Sequence, residues 1–100
     1  ADVGARNAYS AVPLHLAATN GHTETAALLH TLSPSLIDAH DASLHTPLHR
    51  AVLRDHPKHA RSLVVMGADG CAKGPMGYTP LHYAARMGLV EVISAIVKQG

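Results

Sequence analysis

Three copies of one tetrapeptide constrain this chain more than any other feature. Val-Pro-Leu-His at 12–15 returns as Thr-Pro-Leu-His at 46–49 and at 79–82, so Pro13, Pro47 and Pro80 stand 34 and 33 residues apart. A period of this length dictates a repeat architecture in which each unit packs only on its neighbours. The downstream texture recurs in register. Leu16-Ala17-Ala18 corresponds to Arg50-Ala51-Val52 and to Tyr83-Ala84-Ala85. Gly21-His22 corresponds to Asp55-His56 and to Gly88-Leu89. Each pair precedes a second stretch of helical pattern: Thr25-Ala26-Ala27-Leu28-Leu29, then Ser62-Leu63-Val64-Val65, then Val92 to Val97.

The phrase has a physical reading. Proline at the first helical position forfeits no hydrogen bond and presets a helical φ. Thr46 and Thr79 precede it and can cap the helix through their hydroxyls. Short helices are predicted over 13–20, 47–54 and 80–87. Gly21 and Gly88 suit a left-handed turn residue, and Asp55 tolerates that conformation. Second helices follow over about 23–32, 57–66 and 90–98. Pro57 starts one of them, and Ser33-Pro34 and Gly67 end the first two. Each hairpin is too short to be stable alone, so stacking must dry a shared core. With 47% hydrophobic residues, no Trp and no Phe, that core is built from Leu, Ala, Val and Ile.

The period, the tetrapeptides and the connector Gly67-Ala68-Asp69 together resemble the ankyrin repeat family. Ala1-Asp2-Val3 looks like the tail of the same connector. The resemblance covers nearly the whole chain. It implies an all-α fold: a solenoid of three stacked helix-turn-helix repeats joined by short β-hairpin-like fingers. The domain occupies 1–100, with repeats over about 7–39, 40–73 and 74–100. Neither end carries an evident polar cap, and the chain stops at a unit boundary on Lys98-Gln99-Gly100. The expectation is a piece of a longer array.

Two positions break the pattern. Val12 stands where the other units have Thr46 and Thr79, so the first helix loses a cap worth ~1 kcal/mol. Leu44 and Ser10 occupy the finger position held by Gly77, where ankyrin-like fingers favour φ > 0. For Leu44 that conformation costs ~1–2 kcal/mol. Either the second finger bends differently, or Leu44 is kept for a contact, or it is ordinary drift.

Nine histidines invite a metal or catalytic reading. The resemblance gives His15, His49 and His82 a structural role: bonding backbone and the threonine hydroxyl and tying units together. Set about 8–10 Å apart by helix packing, they cannot converge on one ion. His22 and His56 share a turn position that implies loop bonding. His30, His40, His45 and His59 fall outside the phrase, and the spacings of His45 with His49 and of His56 with His59 are weak ligand pairs. No HExxH, CxxC, GxSxG, P-loop or dinucleotide glycine pattern occurs. Cys71 has no base in sequence reach except Lys73, and reads as a spectator thiol. The seven acids are scattered, and Asp41 reads as the acid of a local Asx turn. No enzyme, metal or cofactor is implied.

What the resemblance does imply is protein binding through a concave groove of fingers and first helices. The first unit offers Ala8, Tyr9 and Ala11 from its finger, with Thr19 and Asn20. The second offers Ala42, Ser43 and His45, with Leu53 and Arg54. The third offers Pro75, Met76 and Tyr78, with Arg86 and Met87. Arg50 and Tyr83 replace Leu16 at an adjacent inner position. All three tyrosines fall in this set, beside residues typical of interface hot spots. No acid occupies these positions, so Arg50, Arg54 and Arg86 are expected to be uncompensated, although the net charge is only +1. The partner should be acidic and apolar, unless the arginines are merely solvated.

Rival readings are an array packing against another domain of the same longer protein, self-assembly through the ends, and nucleic-acid binding by the groove arginines. The near-neutral charge disfavours the last. No run of ~20 apolar residues suits a membrane span, and no small-molecule substrate is indicated. A single cysteine and the lack of a leader pattern fit an intracellular location, cytoplasmic or nuclear.

Overall fold

The computed structural model describes residues 3–99. Ala1 and Asp2, the start of the expected connector phrase, lie outside these, as does Gly100. Among the described residues, six α-helices pair into three hairpins: α1 (Pro13–Asn20) with α2 (Thr23–Leu32), α3 (Pro47–Leu53) with α4 (Pro57–Val65), and α5 (Pro80–Met87) with α6 (Val90–Gln99). The predicted bounds agree to within one residue. Short 3₁₀ turns occupy Pro34–Leu36 and Pro75–Gly77.

Each inner helix begins as its tetrapeptide dictates. The His49 N–H donates to Thr46 Oγ1 at 3.3 Å, and the His82 N–H to Thr79 Oγ1 at 3.2 Å. Val12 offers no hydroxyl, and the His15 N–H instead reaches the Val12 carbonyl at 2.9 Å. The turns between helices use left-handed residues: Gly21 (φ 70°), Asp55 (φ 59°) and Gly88 (φ 71°). Gly21 has a second reason to lack a side chain. A Cβ there would lie 2.9 Å from Nδ1 of His56 in the next unit. That ring docks on the first unit, its Nε2 bonding the Thr19 carbonyl at 3.0 Å. His22, in the equivalent place, is exposed and makes no side-chain bond among the described residues.

Stacking forms two layers. In the inner one, α1 packs on α3 and α3 on α5; in the outer one, α4 packs closely on α6, while α2 scarcely meets α4. The core between them holds Leu14, Ala17, Ala18, Leu48, Ala51, Val52, Leu63, Val64, Ala84 and Val92. Alanines at the crossings let helices approach. Leu48 and Leu63, fully enclosed, each contribute about 1.5–3 kcal/mol by leaving water.

The fingers are tight turns, with no strand among the described residues. Each is pinched at its base by a backbone bond, Asn7 N–H to Ala11 O (3.1 Å), Asp41 N–H to His45 O (3.0 Å) and Gly74 N–H to Tyr78 O (2.7 Å), and tightened by a second, from Ser10, Leu44 and Gly77 N–H to the carbonyls of Asn7, Asp41 and Gly74. Ser10, Leu44 and Gly77 are all left-handed, at φ 58°, 67° and 79°. The second finger therefore does not bend differently to spare Leu44, whose strain is ~1–2 kcal/mol. Met76, also at φ 57°, is a strained position that the repeat pattern does not foretell.

Candidate protein-interaction face

The histidines of the tetrapeptide hold the face in register. The Thr46 N–H donates to His49 Nδ1 at 3.1 Å, so the neutral ring carries its proton on Nε2. Nε2–H then donates to the Tyr78 carbonyl in the next finger at 3.0 Å. His15 repeats this one unit earlier, accepting from Val12 N–H at 3.1 Å and reaching the His45 carbonyl at 2.9 Å. Burial pushes the pKa of His49 down to about 4 and that of His15 below its ordinary value. Both rings are built to be neutral. A second ladder joins the finger bases. Arg6 Nη1 donates to the His40 carbonyl at 2.8 Å, and His40 Nε2–H to the Lys73 carbonyl at 3.1 Å. His40 thus has a structural role that its place outside the tetrapeptide concealed.

On this frame the fingers and inner helices carry a run of rings. His45 meets His49 edge-on at 5.7 Å between centroids, and His49 meets Tyr83 at 6.0 Å. Tyr83 stacks on Tyr78 at 5.5 Å, and Tyr78 meets His82 at 5.6 Å. Five rings from two units and the finger between them form one continuous strip. His45, Tyr78 and Tyr83 were candidate binding residues; His49 and His82, assigned only to scaffolding, complete the strip. Tyr9 is exposed on the first finger and is not part of it; its carbonyl accepts the Ala42 N–H at 2.9 Å. Leu53 and Met87 are exposed at the ends of α3 and α5, and Met76 is 94% exposed at the third fingertip.

One expectation is overturned. Arg50 is not an uncompensated charge. Its Nε and Nη2 both donate to Asp41 Oδ2, at 2.9 and 2.5 Å. Asp41 does make the local Asx turn, its Oδ1 accepting from the N–H groups of Ser43 (2.9 Å) and His45 (3.0 Å). Its second oxygen was left to spend on the guanidinium nine residues on. Burial alone would raise the Asp41 pKa; the Arg50 and His45 hydrogen bonds outweigh it and hold the carboxyl below its usual range. Arg54 and Arg86 are exposed and have no acidic partner among the described residues. Of the three arginines, these two carry charge that no acid offsets among the described residues.

Among the described residues no three His, Cys, Asp or Glu side chains are grouped to hold a metal ion. Cys71 is exposed, in the connector after Asp69. Among the described residues no helix is long and apolar enough to cross a membrane.

A stack of helical hairpins that shows a row of turns and side chains on one face is a solenoid of the interaction-module class. Residues 14–100 match the family model described as Ankyrin repeats (3 copies), and the chain belongs to the ankyrin repeat family. That family is a non-catalytic module that mediates protein–protein interaction. Among curated proteins, the Target of rapamycin complex 2 subunit AVO2 of Saccharomyces cerevisiae is 29% identical over 87% of this chain and 20% of its own length. The Glycerophosphocholine phosphodiesterase gde1 of Schizosaccharomyces pombe is 38% identical over 60% of this chain and 5% of its own length. The chain thus spans a fifth or less of the length of these relatives.

Proposed function

We propose that the concave face binds a protein segment that is both acidic and apolar. Tyr78, Tyr83, Met76 and Met87 act as apolar anchors, with Tyr9, His45 and Leu53 extending the surface. Arg54 and Arg86 select the acidic character. Arg50, tied to Asp41, shapes the wall and contributes little net charge. The observation that carries this reading is the ring strip together with two exposed arginines, Arg54 and Arg86, that have no acidic partner among the described residues. Stacked rings lose little entropy on binding, and exposed guanidinium groups gain most from an anion brought against them. The same reading places the chain inside the cell, in keeping with its single free thiol.

The test is the double variant Arg54→Glu plus Arg86→Glu, used beside the parent chain in affinity capture. Capture of the same partner by both proteins would sink the proposal. The expected result is lost capture by the variant and, for the purified pair, a flatter dependence of affinity on salt. A second reading has its own support, since the relatives are much longer than this repeat region. The array could serve as a surface for another domain of the same longer protein, in which case the Arg54, Arg86 variant would disturb that domain's docking instead.

A further inference from the structure

The outer side of the stack carries a second surface, unrelated to the concave face. Helices α4 and α6 lie side by side there, and a broad trough of about 1000 Å³ opens along them. Lys58, Ser62 and Val65 of α4 line it at steps of four and three; Val90, Ser94 and Lys98 of α6 line it at steps of four. That spacing marks one stripe on each helix, so the trough runs along both helix axes, and Thr23 and Ala27 of α2 line it as well. Val65 and Val90 are 74% and 73% exposed, while their neighbours Val64 and Val92 fill the core. Apolar side chains are thus spent on water here without serving the fold.

The charges around these valines are unequal. Lys58, Arg61 and Lys98 line the trough against one acid, Glu91. Glu91 pairs with Arg61 at 3.2 Å. Lys58 and Lys98 have no acidic partner among the described residues. Repeat translation makes α4 and α6 parallel. Lys58 in the first turn of α4 and Lys98 in the last turn of α6 therefore stand at opposite ends of the trough. The lining helices satisfy their own backbone groups and offer no free edge, so an occupant must satisfy its own. An amphipathic helix does this, and an extended strand does not. The short side chains of Ser62 and Ser94 leave room for its close approach. Its length matches α4 and α6, about 15 Å or three turns.

We infer that the trough between α4 and α6 docks a short amphipathic helix of a partner protein, with an apolar stripe over Val65 and Val90 and acidic residues towards Lys58 and Lys98. The probe is a stapled three-turn peptide with leucines on one stripe and glutamates flanking it. A control peptide carries lysine in place of each glutamate. Both are titrated into the isotope-labelled chain and followed by amide NMR. The expected result is shifts centred on Lys58, Ser62, Val65, Ser94 and Lys98, and about tenfold weaker binding of the lysine peptide. The double variant Val65→Glu plus Lys58→Glu should abolish the shifts with an unchanged thermal midpoint, since both sites are exposed. Arg54→Glu plus Arg86→Glu should leave them intact, which separates this surface from the concave one. No shifts at millimolar peptide, equal binding of the lysine peptide, or shifts centred on Tyr78 and Tyr83 would each overturn the inference. So would shifts at the trough that grow with chain concentration alone, which would make a second copy the occupant.

Discussion

The first and second units share Pro-Leu-His and differ in nearly everything that secures it. In the second, Thr46 caps α3, His49 bonds both its own cap and the next finger, and Asp41 clamps Arg50. Its outer helix buries His59, Ala60, Leu63 and Val64 and packs on α6. In the first, the cap hydroxyl is missing, Asn7 replaces the charged acid, and α2 buries only Ala26. The same phrase therefore specifies the same hairpin but not the same stability. A unit is secured by what its neighbours place against it, which is the behaviour of a one-dimensional stack.

The largest contrast is in the core. Leu48→Ala, at the fully buried centre, should cost about 2–5 kcal/mol, whereas Leu28→Ala on the exposed side of α2 should change stability by less than about 0.5 kcal/mol. Denaturant melts of the two variants measure it, and equal losses would mean that α2 packs far more tightly than its exposure shows.

Acid should come next. The His49 pKa is lowered to about 4, and those of His15, His45 and His59 are also lowered, chiefly by burial. The unfolded chain binds these protons near pH 6.5 and the folded chain only at lower pH, so stability is full above about 6.5 and falls as the pH drops towards 4. His49 alone accounts for a loss on the order of 3 kcal/mol. Melting midpoints across this window should fall, and His49→Gln should fall less steeply than the parent; parallel profiles would assign the acid response elsewhere.

Asp41→Asn keeps the turn that Asn7 makes in the first unit and removes the negative charge that faces Arg50. A loss of about 1–2 kcal/mol is expected. A matching loss for Asn7→Ala would show instead that the turn alone is what matters. The smallest effect is a gain. Val12→Thr places a hydroxyl where the His15 N–H and Nδ1 already converge, as Thr46 does at His49, and should add ~1 kcal/mol. A lower midpoint would mean that burying the hydroxyl at this enclosed site outweighs the cap.

The helices and turns were legible because their causes are local. Proline, a cap and a left-handed residue act within nine positions of one another, and the 33-residue period repeats the message. The site was legible only in part. Asp41 and Arg50 are nine residues apart and belong to a finger and a helix, so no spacing rule couples them. The ring strip needs His49 of one unit beside Tyr83 of the next, a contact set by the rise of the stack. The outer trough was hidden for a related reason. Val65 and Val90 look like core residues of an apolar helix until the folded helix turns them outward.

Gly21 and His56 bear on how far such units can be exchanged. The ring of the later unit fills the space where an earlier side chain would sit, and Gly74 faces His49 with the same intolerance, a Cβ there lying 2.7 Å from Nε2. Asp41, at the place of Gly74, does carry a side chain, so the two seams are cut to different patterns. Shuffling or duplicating these units would mismatch a seam even where every helix was preserved. The order of the repeats is part of the fold.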